Sequence, residues 1–475
     1  MQTPLLYHIT GISGYEICSM HVSSKCGNVF EIKSEAAFRK LEKREKRLAA
    51  QGRGGHRDLI IKIARKNHIC PKCKAKGAHY HKDKIARRVQ CHNIGRMTAW
   101  VEFDVHRIYC PECGALSYEH IEFLTNPRSR ITRMLEKDLV QAREMMSITD
   151  VSTLYRVPWK TVRNAEMNAL ERLFRSVSLK NVRLIGIDEI CVFHKLRGGS
   201  QYVTIVRDLE TGDVLNVSRG KGCAALKMFA SRLKRLKDSP KIECVAMDMS
   251  NAYSSFVKQN LPFATIAFDH FHVIKMMNDV LNNIRRETMA KIHTKTREAL
   301  AKLKYNEIEK ELALELQQRI MTEEKEARGV LKGNRWLPLM NKEEIEKDAK
   351  AKAKLDRMLE EHSDLNTAYL LKEKLRSIYM NAKTQLMALP LLKEWIAEAM
   401  ASGIVALKRM AKTLMKNLEG VLGFWKYAGL TNAKTEGFNN KIRWLIKQAY
   451  GYRDFRYFRL KVFNLPNTKT NRQDW

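Results

Sequence analysis

Two sets of residues in this chain stand at spacings that chemistry uses. The first is sulfur: Cys70-Pro-Lys-Cys73 and Cys110-Pro-Glu-Cys113. A two-residue gap lets both sulfurs of a turn face one ion, and two such turns supply the four thiolates of a tetrahedral zinc site. The 36 residues between the pairs leave room for intervening strands, as in a zinc ribbon. Gly114 follows the second pair and gives that turn backbone freedom, whereas Lys74 stands at the matching place in the first. His79, His81, Cys91 and His92 lie between the pairs and are ligand types, but surface or core roles suit them better. A closed site of this kind is a folding staple and not a catalyst. The other six cysteines, Cys18, Cys26, Cys91, Cys191, Cys223 and Cys244, lack ligand spacing and are expected to be buried, reduced thiols.

The second set is acidic. Asp188 stands inside the apolar run Leu184-Ile-Gly-Ile-Asp-Glu-Ile190, and Asp248 closes Cys244-Val-Ala-Met-Asp248. A carboxylate at a buried strand is costly without a partner or a metal. Two on neighbouring strands can share Mg²⁺ (or Mn²⁺) ions, an arrangement that activates a hydroxyl and stabilises the leaving oxygen at a phosphodiester. Taken singly, each reads equally as a strand-end cap or an ion-pair member. Glu436 is the third acid. Helical spacing over 435–450 sets Glu436, Asn440, Arg443 and Lys447 on one face and Phe438, Ile442, Leu445 and Ala449 on the other. A metal ligand followed by phosphate-binding cations is one reading of that face; a solvated acid at a helix start is the alternative. Glu189 points to the opposite face of its strand from Asp188 and is set aside.

These residues need elements to hold them. Residues 100–109 alternate, with Val101, Phe103 and Val105 one way and Glu102, Asp104 and His106 the other, which is a strand leading into the second cysteine turn. Strands are expected at 183–193, 201–207 and 213–219, with Glu210-Thr-Gly-Asp213 as the hairpin turn between the last two. A helix over 224–237, ended by Ser239-Pro240, precedes strands at 242–247 and 264–268 with another helix between them. Three meandering strands followed by alternating helix and strand predict a mixed sheet flanked by helices. From about 275 to 425 the chain is rich in Lys, Glu, Leu, Ala and Met, hence helical, with a break at 333–338. Residues 1–60 say little beyond a charged helical run at 35–50 and the breaker Gln51-Gly-Arg-Gly-Gly55.

Between the cysteines and the first aspartate lies a helix-turn-helix pattern. Residues 149–155 read as a short helix, Arg156-Val157 as a tight turn, and Pro158 pre-sets the first position of the next helix. Val151, Leu154, Val157, Val162 and Ala165 are suited to its interior. Trp159, Lys160, Arg163 and Asn164 project near the helix N-terminus, where recognition helices meet bases and phosphates. Charge supports a nucleic-acid partner: 86 Lys and Arg face 52 Asp and Glu across 475 residues, a net +34. The natural counterweight to such a field is a polyanion whose condensed counterions are released on binding. No stretch approaches the roughly 20 apolar residues of a membrane span. The first twenty residues lack the basic region of a signal peptide, so a cytoplasmic, nucleoid-associated protein is expected and membrane partners are not.

The segment Thr431-Asn-Ala-Lys-Thr-Glu-Gly-Phe-Asn-Asn-Lys-Ile-Arg443, with Tyr450-Gly-Tyr-Arg-Asp-Phe455, resembles the terminal signature of bacterial insertion-sequence transposases, specifically the ISL-three family (insertion-sequence family L-three) of DDE transposases. Gly186-Ile-Asp-Glu189 resembles the family's first acidic motif and Met247-Asp-Met-Ser-Asn-Ala-Tyr253 its second. Asp269-His-Phe-His-Val273 resembles a motif just after it. The resemblance covers roughly residues 61–462. It implies a multi-domain α/β protein: a ribonuclease H-like mixed sheet flanked by helices, interrupted by a long all-helical insertion, and preceded by a zinc ribbon and a helix-turn-helix. The insertion accounts for the 188 positions from Asp248 to Glu436.

The organisation implied is 1–60 of unclear role, 61–125 zinc ribbon, 126–180 helix-turn-helix, 181–284 first part of the catalytic core, 285–415 insertion, 416–465 final core helices with Glu436, and 466–475 tail. By the same resemblance Asp188, Asp248 and Glu436 bind the catalytic Mg²⁺, while Asp269 and His272 support the site or contact DNA. The activity implied is cut-and-paste transposition: binding of terminal inverted repeats, 3′-end cleavage and strand transfer to target DNA by a homodimer or larger assembly. No nucleophilic Ser or Tyr is required. The rivals are a ribonuclease H-like nuclease that only hydrolyses and a zinc-dependent DNA-binding regulator with an inactive core.

Overall fold

The computed structural model describes residues 10–467, apart from 11, 25–28, 66, 96, 196–198, 236–240, 306–309, 428–432 and most positions between 33 and 56. Some side chains, including those at 77–82 and 433–436, are outside the description. The expected run at 35–50 is thus largely outside it. So are the breaker at 51–55, Cys26, the side chains of His79, His81 and Glu436, and the helix end at 239–240. The chain divides into two compact units, Met1–Ser176 with Gln448–Trp475, and Val177–Lys447.

The first unit is built on seven strands: β1 (Glu16–Ser24), β2 (Val29–Glu31), β3 (Arg57–Ala64), β4 (His68–Ile69), β5 (Lys76–Gln90), β6 (Thr98–Tyr109) and β7 (Leu116–Tyr118). Their order is β2-β1-β3-β6-β5-β4, with β7 on β6. β3 and β6 run parallel. Along β6 the predicted alternation holds, with Val101, Phe103 and Val105 buried. The boundary expected at residue 60 is corrected. Met20 on β1 pairs with Ile61 on β3, which pairs with Val101 on β6, and all three share one core with Ile12 and Ile32. The first sixty residues therefore supply strands to the sheet that carries the cysteine turns. A register shift between Ile17 and Ser19 puts Ile17 out of phase with Met20 and Val22, which broke the period of β1 in the sequence.

Three helices follow, α1 (Arg133–Ala142), α2 (Ile148–Tyr155) and α3 (Trp159–Leu173). They close around Ile131, Leu135, Leu139, Val151, Val157, Val162 and Ala165.

The second unit opens with β8 (Leu184–Lys195), β9 (Gly199–Asp208), β10 (Val214–Arg219), α4 (Cys223–Arg235), β11 (Cys244–Met247), α5 (Asn251–Asn260) and β12 (Thr265–Phe268). The sheet order is β10-β9-β8-β11-β12. The first three strands are antiparallel and β8, β11 and β12 are parallel. The β9–β10 turn needs a left-handed residue, and Gly212 supplies it at φ +84°.

Helices then run as α6 (His270–Tyr305), α7 (Lys310–Gly333), α8 (Lys342–Ile345), α9 (Ala349–Glu360), α10 (Ser363–Asn381), α11 (Gln385–Ala401), α12 (Val405–Lys416), α13 (Leu418–Lys426) and α14 (Ala433–Gln448). The break expected at 333–338 is present, since α7 stops at Gly333. The all-helical stretch expected between the second and third acids is present from α6 to α13, but the limits at 285 and 415 fall inside helices. α6 crosses the first limit unbroken, and one core joins Ile187 and Val245 of the sheet to Leu375, Trp395 and Val421 of the helices. Gly420 and Gly423 let α13 lie directly on β12, where a Cβ would collide with the Phe268 ring and the Ile266 carbonyl.

The last α-helix of the described residues, α15 (Phe455–Asn464), belongs to the first unit. This helix was expected among the final helices of the catalytic core. Instead it packs on α3, through Phe174 stacked on Phe463 at 5.7 Å and a buried network around Glu166. Its basic and aromatic composition does not reveal which core it joins. Among the described residues no helix is long and apolar enough to cross a membrane.

Candidate active site and cysteine centre

The two cysteine turns are copies of each other. In one, Lys74 N donates to Cys70 O at 3.0 Å and Cys70 N to Ala75 O at 3.0 Å; in the other, Gly114 N donates to Cys110 O at 2.9 Å and Cys110 N to Ala115 O at 3.0 Å. Both Lys74 and Gly114 sit at φ +66°, so the lysine holds a backbone shape that favours glycine. The four sulfurs lie within 4.8 Å of one another, with Cys70–Cys113 at 3.7 Å and Cys73–Cys110 at 3.5 Å. A tetrahedron with metal–sulfur bonds of about 2.3 Å has edges of ~3.8 Å, so the set fits one ion. Backbone N–H groups of Cys73 and Lys72 aimed at Cys70 lower its thiol, whereas at Cys73 the Ala75 N–H is outweighed by burial and by hydrogen bonds with the other three sulfurs, which raise it.

The other thiols divide. Cys91 and Cys244 are buried and pushed up to about 12 by that burial, hence inert. Cys18 and Cys223 are exposed, against expectation, because each falls at an outward position of its element. His92 is turned away from the sulfurs and pairs with Asp138 at 2.5 Å.

In the helix-turn-helix, Ser147 and Asp150 form a reciprocal cap at the start of α2. Arg156 makes the turn at φ +54° and Pro158 caps α3. Val151, Val157, Val162 and Ala165 are buried as expected. Leu154 is a correction: at 58% exposure it lies outside, since the left-handed turn at Arg156 brings Val157 in to fill the core in its place. Trp159, Lys160 and Asn164 face solvent. Arg163 does not project freely; its guanidinium pairs with Asp454 and lies over the Tyr457 ring at 5.3 Å.

The acidic residues converge in the second unit. Asp188 lies on β8 and Asp248 just beyond the end of β11; Ala246 pairs with Gly186, and two further steps in that register bring 248 beside 188. Asp188 Oδ1 accepts from Glu189 N at 2.8 Å and Oδ2 from Asn439 Nδ2 at 2.7 Å. Asp248 Oδ1 accepts from Ser250 N at 3.2 Å. Burial pushes both carboxyls above their ordinary range, and the charge of Asp248 adds to the effect at Asp188. His272 opposes it at both. That imidazole is itself raised by its hydrogen bond to Asp269, at 3.2 Å, and by the charges of Asp188 and Asp248. Asp269 is buried and its backbone bonds to Met247 O at 3.0 Å, so it sits between the end of β11 and the start of α6.

Glu189 takes the other side of β8, as its position in the strand requires, and accepts from Tyr253 Oη at 3.1 Å. On α14, Phe438, Ile442 and Leu445 are buried. Ala449 is exposed beyond the helix end and does not continue that stripe. Asn440, Arg443 and Lys447 are exposed, with Arg443 bonded to Asn440 at 2.6 Å and Lys447 over the Trp444 ring at 5.4 Å.

The family model for the DDE transposases of ISL3, described as a transposase, matches residues 185–462, from β8 to α15. The chain belongs to that transposase family. A second model, the helix-turn-helix domain of transposase family ISL3, matches residues 119–180. The chain is 26% identical over 405 residues to the transposase for insertion sequence element IS1001 of Bordetella parapertussis, covering 85% of this chain and 90% of that one. A solved structure, the Drosophila P element transposase strand transfer complex, matches 71% of this chain and 93% of its own at 12% identity and a TM-score of 0.37.

Two features of this transposase escaped sequence reasoning. Asn439 is the α14 amide that reaches Asp188; only its neighbour Asn440 was singled out in the sequence, as a DNA contact, and nothing in the Asn-Asn doublet marks which member faces the acid. The second feature is a buried carboxylate, Glu119. It accepts from Arg65 Nη2 at 2.6 Å and His106 N at 2.8 Å, and pairs with His68 Nδ1 at 2.8 Å and His106 Nδ1 at 3.0 Å. Its partners lie 13 to 54 positions away, so spacing carries no trace of it.

Proposed function

We propose that this transposase binds the terminal inverted repeats of an insertion sequence, cuts at their 3′ ends and joins them to target DNA, with Asp188, Asp248 and Glu436 holding Mg²⁺ (or Mn²⁺). The observation that carries the reading is the convergence of Asp188, within β8, and Asp248, just past the end of the adjacent β11, each held above the ordinary carboxylate range by burial and each within the field of His272. Two buried acids with no lysine or arginine bonded to them suit a divalent cation among the described residues. The bound ion supplies Lewis-acid chemistry, activating the attacking hydroxyl and stabilising the leaving oxygen. Position 436 supports the third ligand, because it lies one helical turn before Asn439, whose amide already touches Asp188. A sheet of three antiparallel strands followed by two parallel ones, with the acids on the central strand and its neighbour, supports a ribonuclease H-like core.

The protein's own groups do the positioning. The Glu189 and Ser250 N–H groups and the Asn439 amide orient the carboxylates, and Asp269 orients His272. Exposed Trp159, Lys160 and Asn164 at the start of α3 are the DNA-reading candidates, and Asn440, Arg443 and Lys447, on the helix that carries Asn439, suit phosphates. The four sulfurs would hold Zn²⁺ as a staple for a ribbon formed by β4–β7. Two ends must be held at once, so a homodimer or larger assembly forms on DNA.

The test is incubation with Mg²⁺ and labelled DNA carrying the element's ends, beside Asp248→Asn. Wild type is expected to cleave and to join 3′ ends to a target, while the variant binds without cutting. Cleavage without joining would leave a ribonuclease H-like nuclease. Binding without cleavage by either protein, in Mg²⁺ and in Mn²⁺, would leave a zinc-dependent regulator.

A further inference from the structure

Buried amides ordinarily find partners for both ends. Asn439 is 5% exposed and does so at one end only: Nδ2 donates to Asp188 Oδ2 at 2.7 Å, while Oδ1 is buried with no hydrogen-bond partner among the described residues. Both atoms hang on one amide carbon, so the unsatisfied oxygen lies within a few ångströms of the Asp188 carboxylate. The amide is not free to turn away. Its neighbours Phe438 and Ile442 are in the core, and the Arg207 guanidinium covers the Phe438 ring at 4.1 Å, fastening α14 to β9. With Glu189 N on Oδ1 and Asn439 on Oδ2, the plane of the Asp188 carboxylate is held from two sides. An uncharged, rigid carbonyl oxygen beside the Asp188 carboxylate is a ligand type that hard divalent cations and their waters accept.

We infer that Asn439 is a positioning residue of the metal centre, fixing the orientation of Asp188 through Nδ2 and offering Oδ1 to the bound cation or to a water of its shell. The inference rests on the reading of Asp188 as a metal ligand. Groups that orient metal ligands in this way carry about 10- to 100-fold in metal affinity.

The test uses full-length, zinc-loaded protein without DNA and counts free Mn²⁺ by its electron paramagnetic resonance signal, for wild type, Asn439→Ala and Asp188→Asn. Asn439→Ala is expected to weaken Mn²⁺ binding about tenfold or more. The Mg²⁺ concentration for half-maximal cleavage should rise by a similar factor, cleavage should recover at high Mn²⁺, and DNA affinity without added divalent cation should stay unchanged. Mn²⁺ binding and Mg²⁺ demand equal to wild type would overturn the role of Asn439. Should Asp188→Asn also bind Mn²⁺ as wild type does, the carboxylate centre itself fails; loss in Asp188→Asn alone removes only Asn439. If Asn439→Ala does not fold, Asn439→Ser takes its place under the same criteria.

Discussion

Cys70, Cys73, Cys110 and Cys113 come from two turns that each close on their own backbone, and the β5–β6 ladder brings the turns together. Asp188, Asp248, Asp269 and Asn439 come from four different elements, with 251 positions between the hydrogen-bonded pair Asp188 and Asn439. The two centres also differ in sign. On the functions proposed above, sulfurs gathered for a metal would stabilise the fold once it binds, whereas two buried acids destabilise it until their charge is met.

That contrast makes the largest predicted effect a difference in stability. With the cysteine centre holding zinc as proposed, Cys110→Ser or treatment with a chelator should destabilise the first unit by several kcal/mol, a substantial part of what a structural zinc contributes. Asp248→Asn should leave the melting temperature of protein without added Mg²⁺ equal or slightly higher. The sign follows from burial: the folded-state pKa of Asp248 is raised. Its charged form is therefore penalised at neutral pH, and the penalty vanishes as pH falls below the ordinary carboxylate range. Thermal melts of both variants decide it. A drop of several degrees for Asp248→Asn would mean that the acid is a structural partner and would break the comparison.

The same contrast governs what the sequence could disclose. The cysteine spacing carried the whole of its centre, because the two turns are local and the fold only juxtaposes them. Asp188 and Asp248 were legible through their apolar strands, and the hairpin, the mixed sheet and the helical block were legible through period and composition. Asn439 was not, since choosing between adjacent asparagines on α14 requires the helix phase to within one residue, and burial of the helix against β9 sets that phase. The attachment of β1 to the sheet and of α15 to α3 was equally hidden. Both are long-range pairings whose partners, such as Met20 with Ile61 or Tyr457 with Glu166, have no local signature.

A buried acid with full partners sharpens the point. Burial alone would raise Glu166, but Lys461 at 2.6 Å and Arg143 at 2.9 Å, with Tyr457 donating a hydrogen bond, hold its carboxyl below the ordinary range. A depressed folded-state pKa contributes stability above the ordinary Glu range and loses it as pH falls through the folded value. Glu166→Gln should therefore cost about 3 kcal/mol at neutral pH, the scale for breaking a buried pair. It should also flatten the acid side of the stability profile, read from denaturant melts between neutral and acid pH. An unchanged acid limb would show that Glu166 adds nothing that Asp248 lacks.

The smallest effect tests whether the two cysteine turns are equivalent. Lys74 and Gly114 share φ +66°, where a side chain costs about 1–2 kcal/mol and glycine costs none, less the extra entropy glycine loses on folding. No atom lies within 4 Å of a Cβ built at Gly114, so conformation alone separates the residues there. Lys74→Gly should stabilise the zinc-loaded first unit by about 0.5–1 kcal/mol, and Gly114→Lys should destabilise it by a similar amount. Equal and opposite shifts in melting temperature would mean that the centre requires a backbone shape and is indifferent to the side chain. A loss on Lys74→Gly would instead assign the Lys74 side chain a role that its spacing does not reveal, and a salt titration of DNA binding by that variant would show whether the role is a phosphate contact, as a shallower slope.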